Sequence, residues 1–130
     1  ILSNREAVKL QKCILVVDDD EMNLSRTRII LRKDGYDVLL ATSGMEALHM
    51  LKRHHVDLVL LDIEMPKMNG FVTFRRMKEQ VGEVPVIFLT ASGLEDDVVS
   101  AIRLGAVNYL KKPFEPQELL RRVALELEKQ

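Results

Sequence analysis

The sequence predicts an α/β domain in which five parallel β-strands form one sheet, with helices packed on both faces. Five short apolar runs alternate with five segments of helical periodicity along the 130 residues. Three of the runs are almost unbroken, which is typical of strands that are buried on both faces. Strict alternation of strand and helix indicates right-handed crossovers between parallel strands, and these place the helices on the two faces of the sheet.

The predicted strands are β-branched or leucine-rich runs of four to six residues. A run this short suits a strand, because a buried helix normally needs about ten residues or more. In chain order the runs are CILVV (13–17), YDVLLA (36–41), DLVLL (57–61), PVIFL (85–89) and VNYL (107–110).

The predicted helices lie between the strands and repeat apolar side chains every three or four residues, which gathers those side chains on one face. We expect each of these faces to pack against the sheet. The ranges and their face residues are 21–33 with Leu24, Thr27 and Leu31; 44–53 with Ala47, Leu48 and Leu51; 67–79 with Phe71, Phe74 and Met77; 94–104 with Val98, Ala101 and Ile102; and 116–129 with Leu119, Leu120, Val123 and Leu127.

The ends of the helices carry signals that agree with these ranges. Asp20 suits the N-cap of the first helix, and SGME at 43–46 fits a capping box at the start of the second. Gly35 and Gly105 follow helical runs, where a left-handed C-terminal cap favours glycine. Pro116 suits the first turn of the last helix.

The composition is that of a globular cytoplasmic domain, with 47% hydrophobic and 30% charged residues and a net charge of −1. The sequence lacks the basic excess that is typical of nucleic-acid binders. It also shows no signal peptide and no apolar run of the roughly 20 residues that a membrane helix needs. Cys13 is the single cysteine, which excludes an intrachain disulfide and predicts a buried thiol. One domain is expected over 13–130, with 1–12 as a helical linker or a frayed terminus. The Ile1 start favours excision from a longer protein.

Polar side chains follow four of the five predicted strands. Asp18 and Asp19 follow the first strand, Asp62 the third, Thr90 the fourth and Lys112 the fifth. In open α/β sheets, ligands bind outside the carboxyl ends of the strands, at the point where the strand order reverses. With the flavodoxin-like order 2-1-3-4-5, the three carboxylates converge between the first and third strands.

Three carboxylates at one edge need a counter-charge, which a hard cation with oxygen ligands such as Mg²⁺ supplies. Lys112 adds a fixed positive charge, and Thr90 adds a hydroxyl donor. Together these groups make a cradle for a phosphoryl group, which a carboxylate can itself accept covalently. Asp20 is interpreted as a helix cap rather than a ligand, and Lys111 as a solvated residue.

Four motifs in order resemble those of the response-regulator receiver domains, the phosphorylation modules of two-component signalling. They span roughly 13–129 and are VVDDD (16–20), LLDIEMPKMNG (60–70), FLTA (88–91) and YLKKPF (109–114). The resemblance implies that Asp62 is the phosphoacceptor and that Thr90 and Lys112 contact the phosphoryl oxygens. It also implies that Asp18 and Asp19 organise Mg²⁺, with the main-chain carbonyl of Glu64 completing the metal site.

The same resemblance extends to residues around the site. Tyr109 falls at the aromatic switch position of the family, and a cis peptide bond is expected between Lys112 and Pro113. Glu64 and Ser92 occupy positions where receivers vary, and they are expected to tune how fast the phosphoryl group hydrolyses.

The resemblance implies a signalling switch that takes a phosphoryl group from a histidine kinase or a phosphotransfer protein onto Asp62. The face formed by 94–129 would then change for an output domain, a partner or a second copy, before the protein dephosphorylates itself. Direct nucleic-acid binding, membrane insertion and turnover of a separate substrate are not expected.

Two other functions compete with the switch. A Mg²⁺-dependent phosphohydrolase with an aspartyl nucleophile would need Asp-x-Asp-x-Thr/Val after the first strand, and the sequence DDDE at 18–21 does not fit. A flavin or nucleotide module would need a glycine-rich phosphate loop. His49, His54 and His55 are interpreted as solvated residues near a helix end rather than as a metal or phosphohistidine site.

Overall fold

The computed structural model describes residues 1–3, 12–91 and 95–130, with the backbone alone at 95–98. Strand and helix alternate through these ranges as the sequence predicts. The elements are β1 (Cys13–Val17), α1 (Glu21–Lys33), β2 (Asp37–Ala41), α2 (Gly44–Arg53), β3 (Leu58–Asp62), α3 (Gly70–Gln80), β4 (Val86–Thr90), α4 (Glu95–Arg103), β5 (Asn108–Lys111) and α5 (Pro116–Glu128). No helix within the described ranges is long and apolar enough to cross a membrane.

The strands form one parallel sheet in the order β2-β1-β3-β4-β5, which confirms the predicted fold class and strand order. The register decides which side chains meet at the carboxyl edge. Val17 pairs with Leu61, so Asp18 and Asp62 end up level with each other on adjacent strands. In the pairing of β4 with β5, Thr90 lies opposite Lys111, so Lys112, the residue after Lys111, reaches the same edge.

Alternate residues of the central strands face opposite layers of the core. One layer packs β1 and β3 against α2, α3 and α4 through Leu15, Val17, Val59, Leu61, Leu48, Leu51, Phe74, Met77 and Ala101. The other packs them against α1 and α5 through Ile14, Val16, Leu58, Leu60, Leu24, Leu31, Leu119, Val123 and Leu127. Burying each large aliphatic side chain stabilises the fold by about 1.5–3 kcal/mol, and the two layers hold the strand ends in place.

The predicted caps form, with one difference. Asp20 Oδ1 accepts hydrogen bonds from the amides of Met22 and Asn23, at 2.9 and 3.4 Å. Ser43 Oγ accepts from the Glu46 amide at 3.1 Å, but the Glu46 carboxylate accepts from the Thr42 hydroxyl instead of completing a capping box. The predicted left-handed glycines after α1 and α4 have φ angles of 98° and 96°.

Several predicted boundaries were wrong by one to three residues. The strands β3, β4 and β5 each begin and end one residue later than predicted, and at their ends ladder pairing continues through Asp62, Thr90 and Lys111. The third helix begins at Gly70 instead of 67, because Asn69 Oδ1 accepts from the Val72 amide and caps it there.

Two burial predictions also differ. Ile102 is 63% exposed although it was predicted to share a buried face with Ala101, so the packed face of α4 is narrower than its sequence pattern. Cys13 is only half-buried, and burial, followed by the charges of Asp37 and Asp57, raises the pKa of its thiol. The side chain of Val98 lies outside the described part, as do residues 4–11 of the expected N-terminal linker.

Candidate functional site

Three carboxylates lie at the carboxyl edge of the sheet, where β1 and β3 end. Asp18 and Asp62 are 3% and 2% exposed, and Asp19 beside them is exposed. One carboxylate oxygen from each of the three lies within 4.8 Å of the others. The register of β1 and β3 therefore produces the cluster that the sequence predicted.

Lys112 reaches the same cluster from the end of β5. Its Nζ lies 3.2 Å from Asp18 Oδ2 and 3.2 Å from Asp62 Oδ1, and its side chain is 17% exposed. Its amide donates to the Thr90 carbonyl at 2.7 Å, which continues the β4–β5 ladder. The peptide bond between Lys112 and Pro113 is cis, as predicted, and Lys111 is exposed.

The electrostatics of this edge are unbalanced toward negative charge. The pKa of Asp62 is raised to about 7: burial is the largest cause, Lys112 opposes it, and the carboxylates of Asp18 and Glu64 add to it. Burial acts to lower the pKa of the Lys112 ammonium, but the neighbouring Asp62 and Asp18 outweigh burial and the net shift is upward. One ammonium thus faces several crowded carboxylates, a donor set of hard oxygens that fits a divalent cation such as Mg²⁺.

Thr90 reaches the edge at the end of β4, where its hydroxyl contacts Glu64. Thr90 Oγ1 donates to Glu64 Oε1 at 2.7 Å, and the Ala91 amide donates to the same oxygen at 3.1 Å. The Glu64 amide donates to Asp62 Oδ1 at 3.2 Å. Sequence reasoning singled out Glu64 as an extra acid but missed its contact with Thr90. Ser92 lies outside the described residues.

Tyr109 is half-buried on β5 and is held by a residue that sequence reasoning missed. The Arg122 guanidinium of α5 lies 5.7 Å from the centroid of the Tyr109 ring and donates to the Tyr109 carbonyl at 2.5 Å. The same side chain donates to Asn108 Oδ1 at 2.6 Å and to Glu118 Oε1 at 2.8 Å. The signal was weak, since Arg122 is one of two adjacent arginines in α5 and nothing in the sequence distinguishes it from Arg121.

A cavity of about 260 Å³ opens beside Asp18 and Lys112. It lies between the start of α1 and the loops that follow β4 and β5. Its polar lining includes Asn23, Arg26 and Thr27, and its apolar lining includes Leu89 and Phe114. The cavity leaves room for part of a ligand beside the carboxylate cluster.

Another buried carboxylate, Asp57, lies at the opposite edge of the sheet, just before β3. Its Oδ2 accepts from the Cys13 amide at 2.8 Å, and its Oδ1 lies 2.8 Å from His55 Nε2 and 3.9 Å from Lys12 Nζ. The main-chain carbonyl of Asp57 accepts from Gln130 Nε2 at 3.0 Å. His55 is 85% exposed, which agrees with its prediction as a solvated residue, and its contact with Asp57 is one that sequence reasoning missed.

Comparison with known proteins gives three concordant similarities. The family model described as "Response regulator receiver domain" matches residues 14–124. The response regulator SaeR of Staphylococcus aureus is 40% identical over 110 residues, which are 85% of this chain and 48% of SaeR. The chain therefore spans about half the length of the curated relatives it matches.

Two solved structures resemble the fold closely. A CheY-like response regulator receiver domain protein from Methanospirillum hungatei superposes with a TM-score of 0.85 at 30% identity, over 91% of this chain and 94% of that one. CheY in a CheX-CheY-BeF3-Mg+2 complex from Borrelia burgdorferi has a TM-score of 0.82 at 31% identity, with 86% of each chain covered.

Proposed function

This chain belongs to the response-regulator receiver family, and from that premise we propose that it is a phosphoacceptor switch in which Asp62 carries the phosphoryl group. The observation that carries the proposal is the position of Asp62. It is a buried carboxylate at the carboxyl edge of a parallel sheet, 3.2 Å from the Lys112 ammonium and beside Asp18 and Asp19. Edges of this kind bind ligands in open α/β sheets.

The donor in this proposal is a phosphohistidine of a histidine kinase or of a phosphotransfer protein. An Asp62 carboxylate oxygen attacks phosphorus and forms a phosphorus–oxygen bond, while the phosphorus–nitrogen bond of the donor breaks. The leaving imidazole takes up a proton from water. Lys112 holds a positive charge beside the attacking carboxylate, which favours its ionised form and balances the charge of the incoming phosphoryl oxygens.

The carboxylate cluster would hold a Mg²⁺ ion. Asp18, Asp19 and Asp62 would supply side-chain oxygens, and Glu64 its main-chain carbonyl. When bound, the ion would offset the charge of the crowded carboxylates and of the phosphoryl oxygens. The similar CheY from Borrelia burgdorferi was solved in a complex that includes BeF3 and Mg+2, which supports this assignment.

Output in this proposal runs from Thr90 to Tyr109. Thr90 Oγ1 would turn toward a phosphoryl oxygen on Asp62, and Tyr109 would rotate into the space that Thr90 and its loop leave. The face formed by 94–129 would then change shape for a cytoplasmic output domain, a separate partner or a second copy. Phosphorylation would have to favour the active arrangement by a few kcal/mol to reverse the population. Hydrolysis of the Asp62 phosphoryl group by water would reset the switch.

Labelling by acetyl phosphate tests the phosphoacceptor assignment. Intact-protein mass spectrometry should show the gain of one phosphoryl group in the presence of Mg²⁺ and none after chelation. Asp62→Asn should abolish labelling, whereas the matched control Asp57→Asn, which changes a buried aspartate at the other edge of the sheet, should keep it. Labelling that survives Asp62→Asn or the chelator would contradict the assignment. Steady release of phosphate from small esters without labelled protein would favour a phosphohydrolase instead.

Structures with and without beryllofluoride test the output step. The expected result is a change of rotamer at both Thr90 and Tyr109 in the beryllofluoride complex. If both residues keep their rotamers, the proposed coupling is wrong, although Asp62 could remain the acceptor.

A further inference from the structure

The contact between Glu64 and the end of β4 has a specific geometry. A single carboxylate oxygen, Glu64 Oε1, accepts from the Thr90 hydroxyl at 2.7 Å and from the Ala91 amide at 3.1 Å. Hydrogen bonds to an ionised acceptor are shorter and stronger than neutral ones. Thr90 is 1% exposed, so bulk water cannot readily replace that acceptor.

We propose that the Glu64 carboxylate is a built-in competitor of the phosphoryl group: it occupies the Thr90 hydroxyl and the Ala91 amide, and it must leave them when Asp62 is phosphorylated. This inference rests on the proposed phosphoacceptor function and adds a regulation of that site. It assigns to Glu64 the role of a displaceable anion that sets how tightly the site holds a phosphoryl group.

The competition follows from the number of donors. A hydroxyl has one proton and an amide has one, so neither donor can fully serve the Glu64 carboxylate and a phosphoryl oxygen at the same time. The two anions would also repel each other at the short distance that shared donors impose. Phosphorylation therefore has to move the Glu64 side chain as well as Thr90.

Displacement is feasible because Glu64 is exposed. Its backbone is tied to the site through its amide, which donates to Asp62 Oδ1 at 3.2 Å, but its carboxylate can leave toward solvent without crossing the core. Until then, Thr90 and Ala91 have an anionic acceptor in the unphosphorylated protein. The affinity of the site for a phosphoryl group is reduced by the affinity of Glu64 for the same donors.

The test uses the whole chain labelled with nitrogen-15, because the sequence has no tryptophan to report binding by fluorescence. In metal-free protein, Glu64→Ala should shift the Ala91 amide resonance upfield and speed its hydrogen exchange, and Glu64→Gln should do so partly. In Mg²⁺, titration with beryllofluoride should show about tenfold tighter binding by Glu64→Ala and an intermediate gain for Glu64→Gln.

The matched control is Glu46→Ala. Glu46 is an exposed glutamate at the start of α2, close to the same edge of the sheet, and it accepts from the hydroxyl of Thr42. Its removal deletes an equal charge without touching Thr90 or Ala91, and we expect less than a twofold change in beryllofluoride affinity. An equal gain from Glu46→Ala would assign the effect to net charge and overturn the competition.

The outcomes separate this inference from the function on which it rests. An unchanged Ala91 amide in Glu64→Ala, or beryllofluoride binding equal to or weaker than wild type, would overturn the role of Glu64 alone. Failure of the wild type and all variants to bind beryllofluoride in Mg²⁺ would overturn the phosphoacceptor function and this inference with it.

Discussion

Asp57 and Asp62 lie at the two ends of β3, and these two buried carboxylates have contrasting surroundings. Asp57, at the amino end, contacts the Cys13 amide at 2.8 Å, the His55 ring at 2.8 Å and the Lys12 ammonium at 3.9 Å. Asp62, at the carboxyl end, has Lys112 at 3.2 Å but shares it with Asp18.

The difference teaches where a parallel sheet can hold a reactive carboxylate. An aspartate whose oxygens are both held by hydrogen bonds acts as a structural tie. An aspartate buried among other acids has a raised pKa and benefits from a cation or a reaction partner. Four measurements test this contrast between the amino edge and the carboxyl edge.

The largest effect is expected from removal of the amino-edge tie. Asp57→Ala leaves the amide of Cys13 without its acceptor and removes the partner of His55, so the free energy of unfolding should fall by about 2–3 kcal/mol. Urea unfolding in EDTA measures it. Asp57→Asn keeps an acceptor oxygen and should lose only about 1 kcal/mol. If Asp57→Ala is as stable as the wild type, Asp57 is not a structural tie and the contrast with Asp62 is wrong.

At the carboxyl edge, replacing the buried aspartate should have the opposite effect on the free energy of unfolding. Asp62→Asn should raise the free energy of unfolding of metal-free protein at neutral pH by about 1–2 kcal/mol, after discounting the full shift for screening and relaxation. The pKa of Asp62 is raised from 3.8 to about 7, so the folded protein holds its proton more tightly than the unfolded chain. Wild-type stability should therefore fall as the pH rises between these values, and the gain from Asp62→Asn should grow over the same window.

Urea unfolding of wild type and Asp62→Asn at several pH values, in EDTA, checks that sign. A gain that is equal at pH 4 and pH 7 would mean that the Asp62 charge is not its source. A loss of stability at both pH values would mean that the carboxylate is a structural tie like Asp57.

The gain in stability on adding Mg²⁺ should also differ between variants at the two edges, by a somewhat smaller amount. At a free concentration ten times the dissociation constant, Mg²⁺ should stabilise the wild type by about 1.4 kcal/mol. Asp57→Asn should keep this increment, and Asp62→Asn should lose most of it because one of three clustered carboxylates is gone. Thermal unfolding with and without Mg²⁺ measures the increment, and an equal increment in both variants would argue against a cation site at the carboxyl edge.

The smallest effect is expected at His55. Its ring is 85% exposed, so its contact with Asp57 is screened by water and should contribute about 0.5 kcal/mol or less. His55→Gln should lower the urea midpoint slightly, and high salt should reduce the difference between the variant and the wild type. A loss comparable to that of Asp57→Ala would show that His55, rather than the Cys13 amide, is the main partner of Asp57.

The fold was predictable where local signals determine it. The helices α1 and α2 begin at the predicted residues because Asp20 and Ser43 cap them from the immediately preceding positions, and they also end at the predicted residues. The predicted strand ends were less accurate because a strand extends as far as its neighbour pairs with it, as Thr90 does with Lys111. The exposure of Ile102 depends on what packs against α4, which periodicity alone does not contain.

The site was predictable in its residue set but not in its contacts. Strand order and register bring Asp18, Asp62 and Lys112 together. The alternation of strands and helices predicted the parallel sheet, and the flavodoxin-like strand order placed these residues at one edge. The contact between Glu64 and Thr90 joins residues 26 positions apart and depends on one rotamer of an exposed side chain. No pattern in the sequence distinguishes that rotamer from one that points into solvent.

The bond from Gln130 to the Asp57 carbonyl has a consequence for modular architecture. Lys12 precedes β1 and its Nζ lies 3.9 Å from Asp57 Oδ1, while Gln130, just past α5, donates to the Asp57 carbonyl at 3.0 Å. The residue before β1 and a residue just past α5 thus both contact Asp57, one strand length, or roughly 17 Å, from the carboxylate cluster. A domain whose two ends lie close together can be inserted between other domains without a change in its own site. A domain attached at these ends would respond to the reaction through the intervening protein and not through direct contact with the site.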